Sequence, residues 1–104
     1  MSHKTIKNGK DVSILWEGEF TFNQYPAFRK AIDEALEGKP EKVTIDLAQT
    51  DYIDSAGLGM FLVAQERSKK ENWEFAIANP RERVSQMFQL VKLNTIIDIS
   101  TTNE

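Results

Sequence analysis

The chain has 104 residues, enough for one domain around a single hydrophobic core and no room for a second. Its formal net charge is −3 with both signs scattered along the chain, so it lacks the basic stripe of a nucleic-acid binder. Cysteine is absent, which excludes disulfides, thiolate metal sites and a cysteine nucleophile. The N-terminus has no apolar signal-peptide core, and the longest strongly apolar run, Gly57 to Ala64, is too short to span a bilayer. These features predict a soluble, cytoplasmic protein without membrane insertion. A domain of this size has little area to spare for a deep catalytic cavity, so function is expected on its surface.

Asn8-Gly9 signals a tight turn between the short runs Thr5-Ile6-Lys7 and Val12 to Glu17. Alternation in the second run sets Val12, Ile14 and Trp16 on one face and Ser13, Leu15 and Glu17 on the other, predicting an opening hairpin. A helix follows. Phe28, Ala31, Ile32, Ala35 and Leu36 draw one apolar stripe, Asn23 is the candidate N-cap with Pro26 in the first turn, and Gly38 and Pro40 supply the stop. Lys42 to Leu47 reads as a strand, and Tyr52-Ile53 leads into Asp54-Ser55-Ala56-Gly57-Leu58-Gly59.

The next helix, roughly Ala56 to Lys70, is apolar nearly all round in its first two turns and polar in its last. Such a helix needs contacts beyond its sheet-facing side, from neighbouring helices or from a partner protein. Trp73 to Ala78 is another alternating strand. Asn79-Pro80-Arg81-Glu82 predicts a helix start with Asn79 as cap, Val84, Met87, Phe88 and Val91 form its expected buried stripe, and Asn94 closes it. Ile96, Ile97 and Ile99 suggest a last strand. The polar ends, 1–4 and 100–104, are expected to fray. The order is β-β-α-β-α-β-α-β, an α/β domain with a mixed sheet and helices packed against it.

The chemistry on offer is limited. The only histidine, His3, lies at an expected mobile end, so a Ser-His-Asp arrangement has no base and no catalytic residue is assigned. Asp46, Asp51 and Asp54 fall near one end of the predicted sheet, as the acids of a magnesium-dependent receiver do, but the early strands lack the adjacent acidic pair of such a domain, and turn and cap roles explain these acids. No metal or cofactor is expected. Gly57-Leu58-Gly59 lacks the third glycine of a dinucleotide loop and the lysine of a phosphate-binding loop; two glycines in a first helical turn instead mean close backbone approach, to a strand or to a docking protein. Ser55 stands where it can cap the amides around Gly57 and Leu58, and capping alone would explain it. Its small neighbours Ala56, Gly57 and Gly59, and the apolar helix beyond, add a second reading: a hydroxyl accessible to a kinase, at a helix start that tolerates phosphate.

Val43-Thr44-Ile45-Asp46-Leu47 followed by Tyr52-Ile53-Asp54-Ser55-Ala56-Gly57-Leu58-Gly59 resembles the signature of STAS domains of the anti-sigma factor antagonist type. Gly18-Glu19-Phe20 sits where that family has an early Gly-Glu-Leu-type turn, and Asn79 to Ile99 resembles its last helix and strand. The resemblance covers almost the whole chain and implies a single STAS domain over 1–104, a monomer or weak dimer without enzymatic activity. It further implies an unphosphorylated form that binds an anti-sigma factor or serine kinase and so frees a sigma factor. Phosphorylation of Ser55 then switches binding off and a PP2C-type phosphatase restores it. Asp54, Ala56, Gly57, Leu58, Gly59, Thr21 and Asn23 are the residues it places around the phosphate or the partner. Thr21, where family members often carry an acid, and Lys92, where they often have glycine, depart from the pattern. Two alternatives remain beside this reading: an accessory subunit of a lipid-transport ATPase in which Ser55 is only a helix cap, and a magnesium-dependent receiver-like phosphotransfer domain.

Overall fold

The structure, a computed structural model, describes residues 2–101. Strands β1 (Ser2–Asn8) and β2 (Asp11–Phe20) form an antiparallel hairpin, and a single 3-10 turn, Phe22–Gln24, leads into α1 (Tyr25–Leu36). Then come β3 (Lys42–Ile53), α2 (Ser55–Glu71), β4 (Glu74–Ala78), α3 (Glu82–Leu90), a second 3-10 turn at Leu93–Thr95, and β5 (Asp98–Ser100). The sheet order is β1-β2-β3-β4-β5, with every pair after the hairpin parallel. The element order is the one expected from the sequence.

Each crossover steps to the adjacent strand in one direction. Right-handed crossovers therefore lay α1, α2 and α3 on the same face of the sheet. Alternation selects that face: Val12, Ile14, Trp16, Val43, Ile45, Leu47, Phe75 and Ile77 meet Phe28, Ile32, Phe61 and Phe88 in one buried core. Aromatic packing sets where α2 sits. Phe61 stacks on Phe20 at the end of β2 with centroids 4.6 Å apart, and Phe28 closes on Phe20 edge-on at 4.9 Å.

Several local expectations are corrected. The hairpin loop is Gly9-Lys10, one residue later than Asn8-Gly9, because Asn8 pairs with Asp11; Gly9 takes the positive φ of 67° that the first loop position needs. Ser2 to Lys4 do not fray but belong to β1, and His3 stacks on Trp16 with nearly parallel rings 5.3 Å apart. Met1 and residues 102–104, also expected to fray, lie outside the described residues, while Ser100 belongs to β5. Asn23 lies inside the first 3-10 turn, and α1 starts from Gln24 without a side-chain cap. Asn79 does not cap α3, whose N-cap is Arg81. Its backbone is left-handed (φ 57°), its amide N–H donates to Ser100 O, and its side chain donates to Asp46 Oδ2 at 3.0 Å. Pro80 therefore precedes the helix. At the far end α3 stops at Leu90, so Val91 is half exposed, and Asn94 belongs to the second 3-10 turn. Ile96 also lies on the surface and only Ile97 turns inward ahead of β5.

Candidate functional site

The run Asp54 to Gly59 joins the C-terminal end of β3 to the start of α2, where open α/β sheets place their sites. The helix has one inward face, Gly57, Met60, Phe61, Ala64 and Ser68, at the i, i+3, i+4, i+7, i+11 spacing of a single stripe. Ser55, Leu62, Val63 and Glu66 are exposed.

Asp54, not Ser55, is the N-cap. Asp54 has extended backbone (φ −98°, ψ 179°) and its Oδ1 accepts the Gly57 N–H at 2.8 Å, while Ser55 is already the first helical residue. The capping role expected of Ser55 is thereby corrected. The physical reason is the chain's entry angle: the residue that must leave the strand in extended conformation and turn a carboxylate back over the first amides is the one before Ser55. Ser55 is exposed, and the cap does not draw on its hydroxyl.

The two glycines behave differently. A Cβ on Gly57 would overlap the Phe20 carbonyl oxygen and lie 2.9 Å from Ile53 Cγ2, so only glycine lets the helix start press against the ends of β2 and β3. A Cβ on Gly59 would meet nothing within 4 Å. The close approach read from the sequence is thus internal at Gly57, while Gly59 leaves open space.

The connection after β2 completes the site. Gly18 takes φ 89° beside irregular pairing with β3, where the register shifts between Gly18 and Glu19. Thr21 is buried, and both its N–H and its hydroxyl donate to Gln24 Oε1, at 2.7 and 2.6 Å. Asn23 is exposed on the same turn. Phe22 N–H donates to Asp54 Oδ2 at 3.4 Å, which ties this turn to the start of α2. Ala56 and Leu58 are half-buried, and Leu58 packs partly against the core.

Sequence reasoning missed Phe22, whose ring is 71% exposed, and the surface positions of Tyr25, Tyr52, Leu90 and Val91. Phe22 could have been found: it is a large aromatic between the turn-forming residues Thr21 and Asn23, outside any strand or helix period. On the other flank of α2, Gln65 Nε2 donates to the Ile96 carbonyl at 2.9 Å and brings exposed Ile96 beside the helix. The expectation that α2 needs more than sheet contacts is met in part by the core, but Leu62 and Val63 stay exposed, Val63 by 58%.

The acids do not converge. Asp46 accepts Ala48 N–H and the Asn79 side chain, Asp54 caps α2, and Asp51 is exposed. Among the described residues no three of His, Cys, Asp and Glu are grouped to hold a metal ion, and no helix is long and apolar enough to cross a membrane.

A mixed sheet covered on one face, with a strand-to-helix Asp-Ser-Ala-Gly-Leu-Gly junction, defines a class of α/β domain. Its family is now identifiable. The STAS domain family model matches residues 5–104, and the chain belongs to that family. It is 30% identical over 98 residues to an anti-sigma-B factor antagonist of Bacillus subtilis, covering 94% of this chain and 89% of that protein. To a STAS-domain containing protein of Pseudomonas aeruginosa it is 28% identical over 93 residues, 89% of this chain and 91% of the other. Among solved structures it resembles the anti-sigma factor antagonist SpoIIAA in its unphosphorylated form, with a TM-score of 0.80 and 18% identity over 99% of this chain and 90% of that one. The phosphorylated form of the Bacillus protein SpoIIAA gives 0.73 and 18%, over 99% and 93%. At that identity the likeness shows the fold.

Proposed function

We propose that this chain is a non-enzymatic anti-sigma factor antagonist whose binding is switched by phosphorylation of Ser55, with residues 1–104 acting as one domain. The observation that carries the reading is the division of labour at the start of α2: Asp54 does the capping, and the adjacent exposed hydroxyl is left for chemistry. The family relationship supports the partner class, since the Bacillus subtilis relative is named for antagonising an anti-sigma factor. A protein of this fold, SpoIIAA, exists in both phosphorylated and unphosphorylated forms, which supports the switch.

In the proposed cycle the unmodified surface around Ser55, with Phe22, Gly59, Leu62 and Val63, docks on an anti-sigma factor that is itself a serine kinase. The kinase transfers the γ-phosphoryl group of a nucleoside triphosphate to Ser55 Oγ; the hydroxyl proton passes to a base of the kinase and the nucleoside diphosphate leaves. A PP2C-type phosphatase hydrolyses the ester with water, restoring the hydroxyl and releasing inorganic phosphate. The added group carries about −1.5 to −2 charge and is tolerated by the fold because the start of α2 is the positive end of a helix dipole. A docked protein surface must instead desolvate and oppose that charge. This costs several kcal/mol, and even about 3 kcal/mol is roughly a hundredfold in affinity.

Phosphopeptide mapping from the native host tests the site. Ser55 is expected to dominate because Ser68 is buried with its hydroxyl donating to Gln65 O, and Ser13 lies within β2. Occupancy found chiefly at another residue contradicts the proposal.

A further inference from the structure

The side chain next to Ser55 serves two elements at once. One oxygen of Asp54 accepts the Gly57 N–H of α2, and the other accepts the Phe22 N–H from the turn after β2, thirty-two residues away in sequence. The same two elements touch again one step deeper, where the Gly57 backbone lies against the Phe20 carbonyl. The turn itself is stiffened by Gln24, which gathers both donors of Thr21, and it carries the strongly exposed ring of Phe22. The helix start and this aromatic therefore form one mechanical unit whose outermost link is a single carboxylate.

We propose that Asp54 is a clasp coupling the charge state of Ser55 to the presentation of Phe22. This rests on the reading of Ser55 as a phosphoacceptor. A phosphate there stands beside a half-buried carboxylate, where solvent screens like charges less than on an open surface, and competes with it for the same helix-end amides. The carboxylate swings away. Its bond to Phe22 N–H is the longer of the two and is lost first, so the turn loosens and Phe22 leaves the position it holds in the unmodified protein. Phosphorylation thus acts twice, by adding charge at the docking surface and by withdrawing an aromatic ring from it.

The experiment uses full-length protein with phosphoserine genetically encoded at position 55, so that it needs neither the kinase nor the partner. Amide hydrogen exchange and the 15N–1H shift of Phe22 are read by NMR in a two-by-two set: serine or phosphoserine at 55, each with Asp54 or Asp54→Asn. Asparagine is as good an N-cap as aspartate, so the fold is kept, but its Nδ2 is a donor and cannot accept the Phe22 N–H, so the clasp is already open in this background whatever the charge at position 55. Phosphoserine in the Asp54 background should speed Phe22 amide exchange about fivefold, the equivalent of losing one capping bond, and the same phosphate in the Asp54→Asn background should leave that rate unchanged. An unchanged Phe22 amide in the Asp54 background, or an equal response in both, overturns the clasp. Loss or retention of partner binding by the phosphoserine protein reports separately on the switch itself.

Discussion

Alanine at Gly57 and at Gly59 gives a comparison in which the helix-propensity term cancels. Both positions lie in α2, and replacing glycine by alanine inside a helix favours folding by about 1 kcal/mol at each. At Gly59 the new methyl enters open space, so Gly59→Ala should raise stability by about that amount. At Gly57 it overlaps the Phe20 carbonyl oxygen and crowds Ile53 Cγ2 at 2.9 Å. The crowded atom is main chain at a strand end, not a side-chain tip that can rotate away, so the helix start must shift at an overpacking cost of about 1–3 kcal/mol. The two variants should therefore differ by about 1–3 kcal/mol. At roughly 4–8 °C per kcal/mol for a domain near this size, the gap should be plain in thermal melts and in urea midpoints. Equal stability of the two would refute the close approach at Gly57. On the proposed function Gly59→Ala should also weaken partner docking while stabilising the free domain, a pairing that misfolding cannot produce.

Other outcomes follow from the same geometry. Asp54→Ala should cost about 0.5–2 kcal/mol through loss of the cap, whereas Ser55→Ala should stay within about 0.5 kcal/mol; chemical denaturation yielding the reverse order would return the capping role to Ser55. Lys92 holds a left-handed backbone (φ 58°, ψ 35°) just past α3, so Lys92→Gly should stabilise the domain by about 1 kcal/mol, and a destabilised variant would refute that conformation. The Trp73 Nε1–H bond, helped by Arg67, holds the Glu71 carboxyl below its ordinary value of 4.5. A lowered carboxylate stabilises the fold above its unfolded-state value, and the contribution is lost as pH falls through the folded-state value. Glu71→Gln should thus flatten the acid-side fall in melting temperature, and an equally steep fall in the variant would contradict the assignment.

Most of the fold was legible because β2, β3 and the three helices each bury one face. The alternation of Val12, Ile14 and Trp16 and the stripe Phe28, Ala31, Ile32, Ala35 are direct images of the core. The misreadings share one cause: they concern which of several polar residues does a local job. Asp54 and Ser55 are both good N-caps by type, and Asn79 is a better one than Arg81, but the choice is made by the angle at which a strand hands the chain to a helix. That angle depends on Phe20, Phe61 and Gly57 packing far apart in sequence. Asn79 is diverted for the same reason, since Asp46 on β3 offers its side chain a partner. At the site, the Asp54–Gly59 run was readable from its residues. The exposed Phe22 could be read from its place between Thr21 and Asn23, but its tie to Asp54 could not, because that bond spans the β2–α1–β3 crossover and leaves no periodic trace.

The proposed switch is a single hydroxyl that decides whether a surface is open to its partner. Its most direct test is a calorimetric titration of one purified partner, the protein captured from the native host by the unmodified chain, against three forms: serine, alanine and phosphoserine at position 55. The serine and alanine forms should bind with equal affinity, and the phosphoserine form about a hundredfold more weakly or not at all, with its melting temperature no lower than that of the alanine form. Equal affinity of all three would contradict the switch and leave Ser55 an ordinary residue of the first turn of α2.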